Sequence, residues 1–168
     1  LHQSALGDIY HIGHLNYLND PFARATVIKY DDQMNPKWSY EYDHYNTTLD
    51  GGKEMYTRGF VENNNGTFTI GANLFLTGDS EVRLLTFDEN GTLLWVKAVE
   101  QTIVGYQDKM ISMCKTDNNG YMITGLSRAT PTSVADILLI RLDSIGDMLW
   151  MKTIGGAGDD QAYSVKAL

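Results

Sequence analysis

Asp136-Ile137-Leu138-Leu139-Ile140-Arg141-Leu142-Asp143-Ser144-Ile145-Gly146-Asp147-Met148-Leu149-Trp150 is the stretch that decides the fold. A short, mostly apolar run suits a strand buried on both faces. Asp and Gly then mark a tight turn, and a second strand carries the tryptophan. The stretch recurs. Val82–Phe87 leads into Asp88-Glu89-Asn90-Gly91 and then Leu93-Leu94-Trp95. Ala25–Tyr30 leads to Asp31 and Trp38. The step from aspartate to tryptophan is the same in all three copies, and the tryptophans themselves recur at a near-constant interval.

Upstream of each aspartate stands a glycine, Gly13, Gly71 or Gly125. The interval is equal for the first and third and one position shorter for the second. Two of these glycines follow matching starts, Asn64-Asn65-Gly66-Thr67-Phe68 and Asn118-Asn119-Gly120-Tyr121-Met122. A fixed period of this size marks a repeat architecture. Each unit reads as four strands. The first is Tyr56–Val61, Met110–Lys115 or Tyr163–Ala167. An Asn-Gly turn leads to the second, such as Tyr121–Thr124; the apolar third and tryptophan-bearing fourth follow. No segment has helical spacing with caps.

Four short antiparallel strands per repeat of about 50 residues is the pattern of a β-propeller blade. The expected fold is therefore all-β: three tandem four-stranded antiparallel blades forming one segment over 1–168, with units near 1–62, 63–116 and 117–168. Leu1 aligns opposite Met113 and Leu168 opposite Thr116, so the chain reads as a piece of a longer or processed protein. Propellers have about four to eight blades. Three would leave apolar blade faces open, which calls for further blades of a longer chain or other subunits as partners. The tryptophans are expected to pack between blades.

The third unit, through Thr153-Ile154-Gly155-Gly156-Ala157-Gly158-Asp159-Asp160 and Tyr163-Ser164-Val165, resembles the secreted β-propeller repeats of bacterial, archaeal and protist surface proteins. The second unit lacks the Gly-Gly and Asp-Asp of that pattern, and the first puts Asn35-Pro36 at the turn glycine. The resemblance implies the fold, a secreted or cell-surface setting, and a scaffold role without catalysis.

Composition narrows the function classes. Thirteen basic against 21 acidic residues give a net charge of −8, which opposes binding to nucleic acid. No apolar run approaches the ~20 residues of a membrane helix, so membrane insertion is not expected. Cys114 is the single cysteine, and it reads as a structural thiol in a strand. Three sequons, at Asn46, Asn65 and Asn90, fall in loops or hairpin tips and are candidate N-glycan sites. His11 and His14, three apart on a strand, point to opposite faces and read as no metal pair. The acidic turns offer calcium ligands but lack a full calcium loop. Gly155–Gly158 lacks the Lys-Ser/Thr of a phosphate loop. No nucleophile elbow is present, so no catalytic, cofactor or metal residue is assigned. The leading expectation is a non-enzymatic extracellular scaffold, a glycosylated part of a surface layer or filament. The alternatives are a module binding glycan or protein, and a carbohydrate-active enzyme with carboxylates converging at the axis.

Overall fold

A computed structural model describes residues 1–4, 7–16, 23–42, 54–76, 79–99, 107–130 and 132–167. Twelve strands and no helix occur among them: β1 (His2–Gln3), β2 (Ile9–Leu15), β3 (Arg24–Tyr30), β4 (Pro36–Tyr42), β5 (Glu54–Glu62), β6 (Phe68–Leu76), β7 (Asp79–Phe87), β8 (Leu93–Val99), β9 (Gln107–Lys115), β10 (Tyr121–Arg128), β11 (Asp136–Leu142) and β12 (Met148–Ile154). They form three antiparallel meanders of sequential neighbours, β1–β4, β5–β8 and β9–β12.

The sheets have four and eight strands, and neither is closed. One parallel pair, Ser80 opposite Gln107, joins the second and third meanders into the larger sheet. An all-β antiparallel fold is thus established; the sheets themselves do not close into a propeller.

Two apolar cores lie between the meanders. Tyr10, Val27 and Tyr42 of the first meet Phe68, Leu85 and Phe87 of the second. Val82, Leu84 and Val99 of the second meet Ile123, Leu138 and Ile140 of the third. Strand β7 feeds both cores because successive side chains point to opposite faces. Leu85 and Phe87 turn one way, Val82 and Leu84 the other, and all four are fully buried. The second meander is the middle layer of the molecule.

The three aspartates close one recurring turn. Asp31 Oδ1 accepts from the Gln33 and Asn35 amides at 2.9 and 2.8 Å. Asp88 does the same with Asn90 and Thr92, and Asp143 with Ile145 and Asp147, all within 2.8–3.0 Å. This is the Asx turn that favours Asp at such positions. The left-handed residue of each turn is Met34, Gly91 or Gly146. The turn glycine of the first unit is therefore replaced by Met34, not by Asn35-Pro36.

Two further expectations change. Ile9, Phe68 and Tyr121 pair with Tyr30, Phe87 and Leu142, each just before its aspartate. Counting four positions on, Gly13 and Gly125 are equivalent, and their counterpart is Ala72, not Gly71. The preceding turn explains the slip. Its left-handed position is Gly66 in one copy and Asn119 in the other, so matching Asn-Asn-Gly strings sit one position out of structural register. Secondly, Tyr163–Ala167 is not a strand. Its contacts include a 3.4 Å bond from the Val165 amide to Ser112 Oγ, and it pairs in no ladder.

Asp8 is the electrostatic centre of the first core's rim. It pairs with Lys37 at 2.5 Å and with Lys29 at 2.9 Å. The Lys37 hydrogen bond, then that of Lys29, holds its carboxyl below the usual aspartate range. The Asn35 side chain lowers Asp31 as well, and backbone amides, of Thr92 and Ala135 first, lower Asp88 and Asp159. A lowered folded-state pKa gives stability that is complete above the unfolded value of about 3.9 and is lost as pH falls through the folded one. Urea midpoints are therefore expected to hold from pH 8 to 5 and to fall below pH 4, less steeply in Asp8→Asn. An acid limb as steep in Asp8→Asn as in the parent would remove Asp8 from this account.

Candidate functional site

The seams between meanders are built twice by one device. On β4, alternate residues Trp38, Tyr40 and Tyr42 pack toward the second meander. The Trp38 ring covers the next unit's turn, where a Cβ on Gly91 would meet the ring at 2.9 Å. Its indole N–H donates to the Glu89 carbonyl at 3.2 Å, and Lys29 Nζ donates to the same carbonyl. On β8, Trp95 and Val99 pack against the second core. A Cβ on Gly146 would meet the Trp95 ring at 3.2 Å. Lys97 reaches from β8 to Asp147 of the next turn. The glycines are required twice over: φ is +85° at Gly91 and +84° at Gly146, where a side chain is strained, and a ring fills the space.

On β12 the equivalent positions have no cover. Trp150 and Ile154 are exposed, Ile154 at 54% against 6% for Val99 and 4% for Tyr42. Leu149 and Ile145 nearby are exposed too, and so is Met148 on the opposite face of β12.

The second seam also holds a cleft of about 350 Å³. It is built from three turns and three strands, with Thr86 of β7 and Tyr121 of β10 in its lining. Asn64 and Asn65 come from the β5–β6 turn, Asn119 from the β9–β10 turn, Ser144 and Ile145 from the β11–β12 turn, and Trp95 from β8. The turns are locked together from below. The Tyr121 hydroxyl donates to Asn63 Oδ1 at 3.1 Å and shares a 2.9 Å bond with Thr69, which bonds Thr86 at 2.7 Å. Across the mouth, Asn64 Nδ2 donates to Asn119 Oδ1 at 2.6 Å, and Lys115 reaches Asn64 Oδ1.

Asn65 and Asn90 are exposed on their turns. Asn65 Oδ1 accepts from the Thr67 hydroxyl at 2.7 Å, and its side chain lines the cleft. Asn46 lies outside the described residues. Asp159 Oδ1 accepts from the Ala135 amide at 2.7 Å, and Asp160 Oδ2 from that of Gly156 at 3.0 Å, so this acidic pair ties the β12 exit to the β10–β11 connection. No group of three or more His, Cys, Asp or Glu is gathered among the described residues. Cys114 is half-buried on β9.

The sequence reading found Trp95 and Asn65 but not the cleft that joins them. The available signal was a pair of Asn-Asn-Gly turns, one repeat apart, flanking a tryptophan strand.

No protein-family model and no curated protein matches the chain. Among solved structures it is similar to a protein of unknown function from Bacteroides caccae, at 11% identity and a TM-score of 0.28, covering 88% of this chain. The chain spans 59% of that protein's length.

Proposed function

We propose that this chain is a run of β-propeller blades acting as a non-enzymatic scaffold at a cell surface or outside the cell. The observation that carries the reading is the unfinished third seam. Two tryptophans cover the glycine turn of a following unit, and Trp150 carries the same face uncovered beside Ile154. In a stacked repeat each unit contributes its own stability plus a nearest-neighbour interface, so an uncovered seam face is a site for assembly. Its natural cover is another unit with glycine at the turn. Met34 carries a side chain at that position, which makes the first unit of a second copy a poor seat. Further blades fit better. The tip at Asn90 is open to an N-glycan.

The test is to append a second copy of residues 117–168 to the C-terminus. The extended chain is expected to melt higher and to shift Trp150 emission to the blue. An unchanged melting temperature with Trp150 still in water would sink the reading. The surface assignment is tested by intact mass of material secreted from a eukaryotic host, before and after deglycosylation. An unshifted mass removes the glycoprotein part.

A further inference from the structure

We propose that the cleft at the second seam binds a neutral saccharide, stacked on Trp95 and held by the amides of Asn65 and Asn119 and the hydroxyl of Ser144. The cleft's size falls at the lower end of the ~300–1,000 Å³ typical of ligand sites, the scale of one or two sugar rings. Its wall is aromatic and its rim is amide. No charged side chain lines it among the described residues. The nearest cations are already engaged, Lys115 on Asn64 at the mouth and Lys97 on Asp147 beside the Trp95 ring, so the uncharged lining favours a neutral ligand.

Hydrogen-bonding capacity at the rim is unspent. Asn65 uses its carbonyl oxygen on Thr67, and Asn119 uses its own on Asn64. Among the described residues neither Nδ2 donates to protein, nor does the Trp95 indole N–H, although the equivalent Trp38 group does. A purely apolar ligand would strand these donors at a cost. A sugar satisfies both demands. Its hydroxyl oxygens accept from the amides, and its C–H face lies against the electron-rich face of the indole.

The experiment is a titration of the ¹⁵N-labelled, unglycosylated chain with cellobiose, lactose, maltose and N,N′-diacetylchitobiose. Sialyllactose serves as the acidic comparator. The three indole N–H peaks are assigned by single Trp→Phe variants. At least one neutral disaccharide is expected to move the Trp95 peak and leave those of Trp38 and Trp150 in place. Trp95→Phe is expected to weaken that binding about tenfold. Asn119→Gly keeps the left-handed backbone while removing the amide, and is expected to weaken it about threefold or more. Thermal melts confirm that these variants fold. The proposal is overturned if no neutral sugar moves the Trp95 peak, if only the Trp150 peak moves, or if sialyllactose alone binds.

Discussion

Phe68→Ala is expected to lose about 3–5 kcal/mol of stability, the range for truncating a buried phenylalanine. Phe68 is 1% exposed and sits at the centre of an aromatic stack that joins the first two meanders. Its ring lies 5.2 Å from Phe87, 5.5 Å from Phe60 and 5.8 Å from Trp38, all near parallel. Tyr10 closes the cluster at 5.0 Å. Each such pair adds about 0.5–1.5 kcal/mol beyond buried area, and the rings cannot all collapse into one void. The loss is a large part of the ~5–15 kcal/mol that holds a domain together. Urea unfolding would register it as a lower midpoint at unchanged slope. Phe75→Ala is the comparator. Phe75 is half-buried, with an edge contact to Tyr56 at 5.4 Å, and its truncation is expected to cost under half as much. Equal losses would show that the stack adds nothing to the seam.

What the sequence made legible follows from how local each feature is. The turns after Asp31, Asp88 and Asp143 were readable because the carboxylate bonds amides two and four positions on. The apolar thirds of the repeats were readable because β7 is buried on both faces. The seams were less readable. Trp38 meets Gly91 almost a whole repeat further along the chain, so the sequence showed both landmarks without showing that one sits on the other. Met34 escaped notice because a left-handed methionine has no sequence signal. The strand expected at Tyr163–Ala167 depends on backbone pairing, and this segment meets β9 through the Ser112 side chain and joins no ladder. The cleft was illegible for a related reason: its lining comes from turns that only the stacking of two meanders brings together.

Alanine at the three repeat glycines separates true equivalence from apparent equivalence. A Cβ on Gly125 lands on the Lys109 carbonyl oxygen, with Met110 Cα at 3.0 Å. The cause is a bulge: Gly125 pairs with Met110 and Thr124 with Ser112, so Ile111 is the extra residue on β9. The obstacle is backbone, and β9 must shift to admit the methyl. Gly125→Ala is expected to cost about 1–3 kcal/mol, as for an overpacked site. A Cβ on Gly71 meets only side chains, Met110 Sδ at 2.7 Å among them. Methionine tips adapt, so Gly71→Ala is expected to cost less than about 1.5 kcal/mol. Gly13 occupies the Gly125 position, yet β1 pairs only with Ile9 and Tyr10 and stops short of it. The nearest atom to its Cβ is His11 Nε2 at 3.8 Å. With ordinary φ and open space, Gly13→Ala is expected to stabilise by up to about 1 kcal/mol through the unfolded chain. The order of urea midpoints is thus Gly13→Ala above the parent, then Gly71→Ala, then Gly125→Ala. A Gly13→Ala loss as large as that at Gly125 would mean that a first strand crosses Gly13 in solution as β9 crosses Gly125.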